Sequence, residues 1–293
     1  MSPASRAPRR RIGRRKFDFS RQVAVMAVVN RTPDSFFDAG RTFALDAAVA
    51  AVLAAAEAGA DLVDIGGLAF SPRVPDPGVD GELARVVPVV EAVAARTDVP
   101  VSVDTWRVEV AAAAIEAGAA VINDVTGLRD PAMIELIART GVGVVVAHSL
   151  AEPHQEHPSP RYVDVVGDVR AYLGSRVERA RAGGVRDEQI VIDPGHDLNK
   201  STVQTLELTR RLGEIADLGW PMLAAVSNKD FIGETLDRER PDRLPGTLAA
   251  AYACLERGAR LLRMHDVAAA VDVARMFEAI QGWRAPVRQR HNA

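Results

Sequence analysis

The fold class predicted for this chain is α/β, a single (β/α)8 or TIM-type barrel, and three observations predict it. Short β-branched apolar runs alternate with amphipathic helical stretches over most of the 293 residues, as parallel strands joined by helical crossovers do. The alternation continues through eight runs without an interrupting block. The runs also tend to end on polar or charged side chains, as barrel strands do where they open into a site. The rival, a doubly wound open sheet, calls for a Gly-rich phosphate turn after its first strand. Here Asn30 is followed instead by Arg31-Thr32-Pro33-Asp34-Ser35.

The first run, 23–30, leads through a polar loop past Gly40 to an Ala-rich helix over about 45–58. The second, 61–67, is followed by a Pro- and Gly-rich loop and a helix over 81–96. The third spans 100–105, with its helix at 108–116. The fourth spans 121–125, and Pro131 opens its helix, since proline's fixed φ suits a first helical turn. The fifth, 142–149, precedes a proline-rich loop holding His154 and His157, then a long helix over 163–181. The sixth begins at Gln189 and stops at Asp193-Pro194-Gly195. A carboxylate at the end of a buried strand is costly unless paired or used, and Pro-Gly turns the chain there. The seventh run, 221–227, is followed by a helix at 244–257, and the eighth, 261–266, by a helix at 267–281.

Residues 1–20 read as a basic, solvated, disordered tail, 21–283 as one barrel domain and 284–293 as a second tail. No apolar segment follows Arg6, Arg9, Arg10, Arg11, Arg14, Arg15 and Lys16, so a secretory signal is not expected. A net charge of -3 with mixed signs gives no field directed at nucleic acid or an anionic membrane. No apolar run reaches the ~18 residues of a membrane span. The single cysteine, Cys254, rules out a disulfide within the chain and fits a reducing cytoplasm.

In a barrel the C-terminal strand ends converge on one mouth, which here gathers Asn30, Asp64, Asp104, Asn123, His148, Asp193, Ser227, Lys229, Arg263 and His265. Asn and Asp after a strand are common turn and cap residues, but turn chemistry does not call for Lys, Arg and His at the same rim. Zinc on His148, His196 and His265 is an alternative, although no local ligand pair supports it. No Gly-x-Ser-x-Gly elbow offers a serine nucleophile. The set suits a flat, nitrogen-rich heterocycle. A carboxylate accepts two hydrogen bonds from an amino-amidine edge, and Asn both donates and accepts. Lys donates to a ring carbonyl, an Arg plane stacks on the ring, and His, Arg and Asn suit an anionic leaving group with magnesium.

Met26-Ala27-Val28-Val29-Asn30-Arg31-Thr32-Pro33-Asp34-Ser35-Phe36 resembles the opening signature of the dihydropteroate synthases. Asp64-Ile65-Gly66-Gly67, Ser102-Val103-Asp104-Thr105, Ile122-Asn123-Asp124-Val125 and Ile192-Asp193-Pro194-Gly195 resemble further motifs of that family, in order. Ser227-Asn228-Lys229-Asp230-Phe231-Ile232-Gly233 and Arg263-Met264-His265-Asp266 complete the series. The family joins p-aminobenzoate to 6-hydroxymethyl-7,8-dihydropterin diphosphate and releases pyrophosphate. The resemblance implies that Asp104, Asn123, Asp193 and Lys229 hold the pterin, with Arg263 stacked on it and Asp104, Lys229 and Arg263 carrying the catalysis. It also implies that Asn30 holds magnesium with the diphosphate, that Arg263 and His265 grip the phosphates, and that the protein is a homodimer. The chemistry implied is dissociative: diphosphate leaves, a pterin methylene cation forms, and the arylamine attacks.

The departures from the family pattern cluster on the acceptor side, in a subsite made of Leu68, Phe70, Arg73, Leu198, Ser227, Asn228 and Asp230. After the second strand the family reads Gly-Gly-Glu-Ser-Thr-Arg-Pro-Gly, whereas here Gly66-Gly67 is followed by Leu68-Ala69-Phe70-Ser71-Pro72-Arg73. Leu198 stands where a Phe packs on the benzoate ring, and His196-Asp197 replaces a smaller, less polar pair. The family's Ser-Arg-Lys-Ser becomes Ser227-Asn228-Lys229-Asp230, so an Arg is lost and the Ser that binds the benzoate carboxylate is an Asp. Two carboxylates ~4 Å apart repel by about 1 kcal/mol in water and about 4 kcal/mol at an effective dielectric of 20. Losing hydrogen bonds to a charged group adds roughly 1.5–3 kcal/mol. The pterin half of the site therefore reads as intact and the benzoate half as dismantled. The chain resembles a divergent second copy more than a housekeeping synthase: a pterin binder with weak or lost transfer, a transferase with another amine acceptor, or a non-catalytic pterin-binding scaffold.

Overall fold

A computed structural model describes residues 6–31, 44–68, 74–153, 155 and 160–290. Phe70, Arg73, His154 and His157 lie outside the described residues. The barrel strands are β3 (Ala24–Asn30), β4 (Leu62–Gly66), β5 (Val101–Asp104), β6 (Val121–Asp124), β7 (Gly143–Ala147), β8 (Ile190–Asp193), β9 (Met222–Ala224) and β10 (Ala259–Met264). All neighbours pair in parallel, and β10 pairs with β3 to close the ring. The crossovers run through α1 (Leu45–Glu57), α2 (Gly78–Ala94), α3 (Val108–Glu116), α4 (Pro131–Thr140) and α5 (Val165–Ala182). They continue through α6 (Thr202–Arg210), α7 (Gly213–Ala216), α8 (Asp230–Leu236), α9 (Leu244–Glu256) and α10 (Val267–Ile280). α6, α7 and α8 were not predicted. α6 buries only Thr205, Leu208 and Thr209, and α8 is seven residues long, so neither repeats an apolar face strongly enough to read.

Strand periodicity divides the core in two. Val25, Ala27, Val63, Ile65, Val103, Ile122, Val144, Ile190, Ile192 and Leu262 face the helices. Their alternates Ala24, Met26, Leu62, Val121, Val145, Val191, Leu223 and Leu261 fill the barrel interior. Successive side chains point to opposite faces, so the residue two beyond each interior position also points inward. That parity puts Asp64 after Leu62, Asn123 after Val121, Asp193 after Val191 and Arg263 after Leu261 on the axis.

The expectation of a disordered tail over 1–20 is corrected for residues 6–20. Arg9–Ile12 (β1) and Arg15–Asp18 (β2) form an antiparallel hairpin, with Gly13 at φ +55° in its two-residue turn. Ile12, Phe17 and Phe19 join the interior cluster. Arg10 is buried and donates to Ile190 O at 2.7 Å, and Arg15 donates to Ala60 O at 3.2 Å. These contacts lie at the N-terminal strand ends, so the hairpin closes the barrel floor opposite the mouth.

Candidate functional site

Four neighbouring strands are in register at one rim. Asn30 pairs in register with Gly66, Gly66 with Asp104, and Asp104 with Asn123. Gly66 keeps that rim open, because a Cβ there would lie 3.1 Å from Asn30 Oδ1. Asp64 lies one inward position lower and is fully buried. Arg263 on β10 reaches across, donating from Nε to Asp64 Oδ2 at 2.7 Å and from Nη2 to Asp104 Oδ2 at 2.9 Å. Asn123 Nδ2 also donates to Asp64 Oδ2, at 3.0 Å. Asp64 Oδ1 is buried with no hydrogen-bond partner. Burial raises the Asp104 carboxyl, Arg263 opposes that shift, and Asp64 adds to it.

On the opposite wall Asp193 Oδ1 accepts the Gly195 N–H at 2.7 Å, while Lys229 Nζ donates to His196 O. Burial pushes the Asp193 carboxyl up, against the pull of Lys229. Burial also pushes the Lys229 ammonium down. The structure thus brings Asp104, Asn123 and Arg263 into one hydrogen-bonded lattice through Asp64, with Asp193 and Lys229 on the far wall. Asp124, beside Asn123, accepts from Thr126 N at 2.8 Å and Leu128 N at 3.1 Å, so it is a turn residue.

The three strand-end histidines have separate partners. His148 Nδ1 lies 3.0 Å from Lys200 Nζ, His196 Nε2 lies 3.8 Å from Cys254 Sγ, and His265 Nδ1 lies 2.9 Å from Ser227 Oγ. Among the described residues no three His, Cys, Asp or Glu converge as a metal cage. Burial and the nearby Lys200 push the His148 imidazole down to about 2, so it is neutral and its Nδ1 accepts.

Lys200 is a residue that sequence reasoning missed. It is buried, and besides His148 its Nζ donates to Gly195 O at 2.8 Å and Leu198 O at 3.0 Å. It therefore ties the turn after Asp193 to the end of β7. Burial pushes its ammonium down to about 7. A lysine seven positions beyond a strand carries no signal that it turns inward. Also missed was a clamp on α2, where Arg107 donates to Glu82 Oε2 at 2.6 Å and to Asp76 Oδ2 at 2.6 Å. It ties the segment after Asp104 to the head of that helix.

Of the residues that the resemblance puts on the acceptor side, Leu68 is buried and Leu198 is half-buried. Asn228 sits in left-handed backbone at φ +55° and turns inward, its Oδ1 accepting from Thr247 Oγ1 at 3.3 Å. Asp230 is 67% exposed and accepts from Arg243 Nη1 at 2.9 Å. Its charge is therefore paired, and the repulsion reckoned for a lone carboxylate is reduced by that neighbour.

A family profile described as pterin binding enzyme matches residues 26–265. The "Inactive dihydropteroate synthase 2" of Mycobacterium leprae (strain TN) is 44% identical over 270 residues, covering 90% of this chain and 92% of that protein. A Synechocystis protein named dihydropteroate synthase is 34% identical over 275 residues, covering 93% of this chain and 94% of its own. Among solved structures, Xanthomonas albilineans dihydropteroate synthase with 4-aminobenzoic acid superposes with a TM-score of 0.86 at 42% identity, covering 94% of this chain and 98% of that chain. The same enzyme in complex with 7,8-dihydropteroate gives 0.83 at 42% identity, covering 94% and 99%.

Proposed function

The chain belongs to the pterin-binding enzyme family, and on that premise we propose that it holds 6-hydroxymethyl-7,8-dihydropterin diphosphate in the barrel mouth, with p-aminobenzoate transfer weak or lost. One observation carries this reading. The Asp64–Arg263–Asp104–Asn123 lattice is in place, while the rim at 228–230 has an inward-turned Asn and a carboxylate engaged with Arg243.

In this reading Asp193 and Asn123 take the amino-amidine edge of the ring and Lys229 donates to its carbonyl. Arg263, held flat by two carboxylates, stacks on the ring and faces the diphosphate with His265. Asp104, Lys229 and Arg263 supply the fixed charges that stabilise a developing methylene cation and its leaving diphosphate. Magnesium is assigned to the diphosphate substrate. Asn30, at the rim and within reach of Gly66, offers one neutral oxygen, which suits a hydrated ion bound chiefly by phosphates.

A second reading, transfer to another amine, is favoured by the carboxylate at 230 in place of a hydroxyl. A third, a pterin-binding scaffold without catalysis, predicts binding with no product from any amine. We place the protein in the cytoplasm, in line with the free, buried thiol of Cys254. We also infer a homodimer, in line with the exposed Met276 and Ile280 of α10.

The test is calorimetry with 6-hydroxymethyl-7,8-dihydropterin diphosphate and magnesium, followed by pyrophosphate release with p-aminobenzoate and a panel of amines. Binding with release no faster than hydrolysis in the p-aminobenzoate arm is expected. Rapid dihydropteroate formation would overturn the claim of lost transfer, and an absence of binding would overturn the pterin site.

A further inference from the structure

Lys200 and His148, buried behind the turn that follows β8, have two ways of sharing their protons. Lys200 Nζ has three partners, Gly195 O at 2.8 Å, Leu198 O at 3.0 Å and His148 Nδ1 at 3.0 Å. An ammonium carries three N–H groups and no lone pair. Three acceptors therefore satisfy it in full, with Nδ1 bare and the ring hydrogen on Nε2. A neutral amine carries two N–H groups and one lone pair. The same three atoms satisfy it equally once the ring hydrogen sits on Nδ1 and donates to Nζ.

No described neighbour chooses between the two. Which nitrogen of a neutral imidazole carries the hydrogen is set by the hydrogen bond that the other makes. His148 Nε2 is buried with no hydrogen-bond partner among the described residues. Tyr172 and Tyr162 enclose the ring, at 4.8 and 6.1 Å between centroids. The frame holds both nitrogens in place. His148 N donates to Asp193 O at 2.9 Å. Gly195, at φ +68°, packs so closely that a Cβ there would lie 2.1 Å from His148 O. Asn199 Oδ1 accepts from Ser149 Oγ, Leu150 N and Ala151 N at 2.8, 2.9 and 2.9 Å, fixing the residue beside Lys200 against the end of β7.

Of the charged groups facing Lys200, Asp193 and Asp197 favour its ammonium and Lys229 opposes it. His196 also feels its charge, and beyond the His148 ring Arg176 lies 4.8 Å over Tyr172. Burial outweighs the carboxylates and brings Lys200 down to about 7, while His148, at about 2, stays neutral. The Lys200 charge in turn draws the Asp193 carboxyl down against its burial.

We propose that Lys200 and His148 form a two-state proton switch in which loss of one proton turns the ammonium into an amine, moves the imidazole hydrogen from Nε2 to Nδ1 and removes a positive charge from beside Asp193, while all three hydrogen bonds of Nζ persist. In net terms one Nζ–H bond and the Nε2–H bond break, an Nδ1–H bond forms, and one proton goes to solvent. The switch belongs to the folded chain and holds whatever ligand the mouth takes.

The experiment follows the ligand-free, full-length protein by NMR across pH, with 15N in His and Lys and 13C in the Asp carboxyls. His148→Gln and Asp193→Asn assign the resonances. Lys200 Nζ and both His148 ring nitrogens are expected to change with one shared midpoint near pH 7. Nε2 should carry the hydrogen on the acid side and Nδ1 on the alkaline side, and the Asp193 carboxyl should shift at the same pH. In Lys200→Met the His148 and Asp193 changes at that pH should vanish. If that variant does not fold, the wild-type midpoints alone decide. A ring that keeps one tautomer through the Lys200 midpoint overturns the proposal. So does a ring that charges near its ordinary 6.5, or a Lys200 that titrates near its ordinary 10.5. An Asp193 resonance that ignores the Lys200 midpoint removes the link to the mouth and overturns it too. None of these readouts uses a ligand, so a failure of pterin binding leaves them untouched.

Discussion

Arg263 is the residue on which the mouth turns. Its planar fork satisfies Asp64 and Asp104 at once, and Asp64 is fully buried. Lysine carries one compact charge and cannot reproduce that geometry. Arg263→Ala is expected to cost the ligand-free protein roughly 3–5 kcal/mol, as removal of one partner from a buried ion pair does; urea unfolding measures it. Loss of pterin binding without loss of stability would show that the lattice is not structural. A second residue gives a pH signature. Burial first, then Lys229 and Lys200, push the His196 imidazole down from 6.5 to about 3. As pH falls below 6.5 the unfolded chain therefore takes up a proton that the folded chain refuses, and stability is lost progressively down to the folded value. Relative to His196→Gln, the wild type should lose stability by up to about 1.4 kcal/mol per pH unit below that point. The raised Asp104 and Asp193 act in the opposite sense, gaining stability as pH falls, but both proteins share them and the comparison cancels them. Denaturant melts at stepped pH check it, and parallel curves would sink the assignment of a neutral, buried His196.

The element that most changes the reading of the chain is the β1–β2 hairpin. Its arginines read as a solvated arm, yet alternate residues turn Ile12 and Phe17 inward while Arg9 and Arg11 stay exposed. Phe17 is 4% exposed and stacks with Phe19 at 5.6 Å. Phe17→Ala should therefore destabilise the barrel by about 3–5 kcal/mol, the usual cost of emptying an aromatic core position, as read from the denaturant midpoint. A change below about 0.5 kcal/mol, typical of surface sites, would return the hairpin to the status of a tail. The loop after β8 is the counterpart at the mouth. Lys200, Asp193 and Asp197 each fix part of it from a different side, so polar contacts tie down the segment between β8 and α6.

At the scale of the whole molecule, the barrel brings together residues such as Arg263 and Asp64 that lie 199 positions apart. A ligand that bridges these strands should stabilise the entire fold. Saturation with the pterin diphosphate at 100-fold over its Kd is expected to add about 2.7 kcal/mol, seen as a rise of about 4–5 °C in the melting midpoint. p-Aminobenzoate alone should leave the midpoint in place; a rise with it alone would contradict the altered acceptor rim. Eight strands, their alternation and the polar residues at their ends were legible in the sequence, because period-two burial and strand termination are local properties of the chain. So were Asp104, Asn123, Asp193, Lys229 and Arg263 as residues of one mouth, once the barrel was inferred. Only the folded structure could pair Asp230 with Arg243, cap Phe231 with Asp197, turn Lys200 inward and seat the basic hairpin in the floor. Each of those outcomes depends on which distant group lies within about 3 Å of a side chain, and the period of a sequence fixes the face a residue points to but not what it meets there.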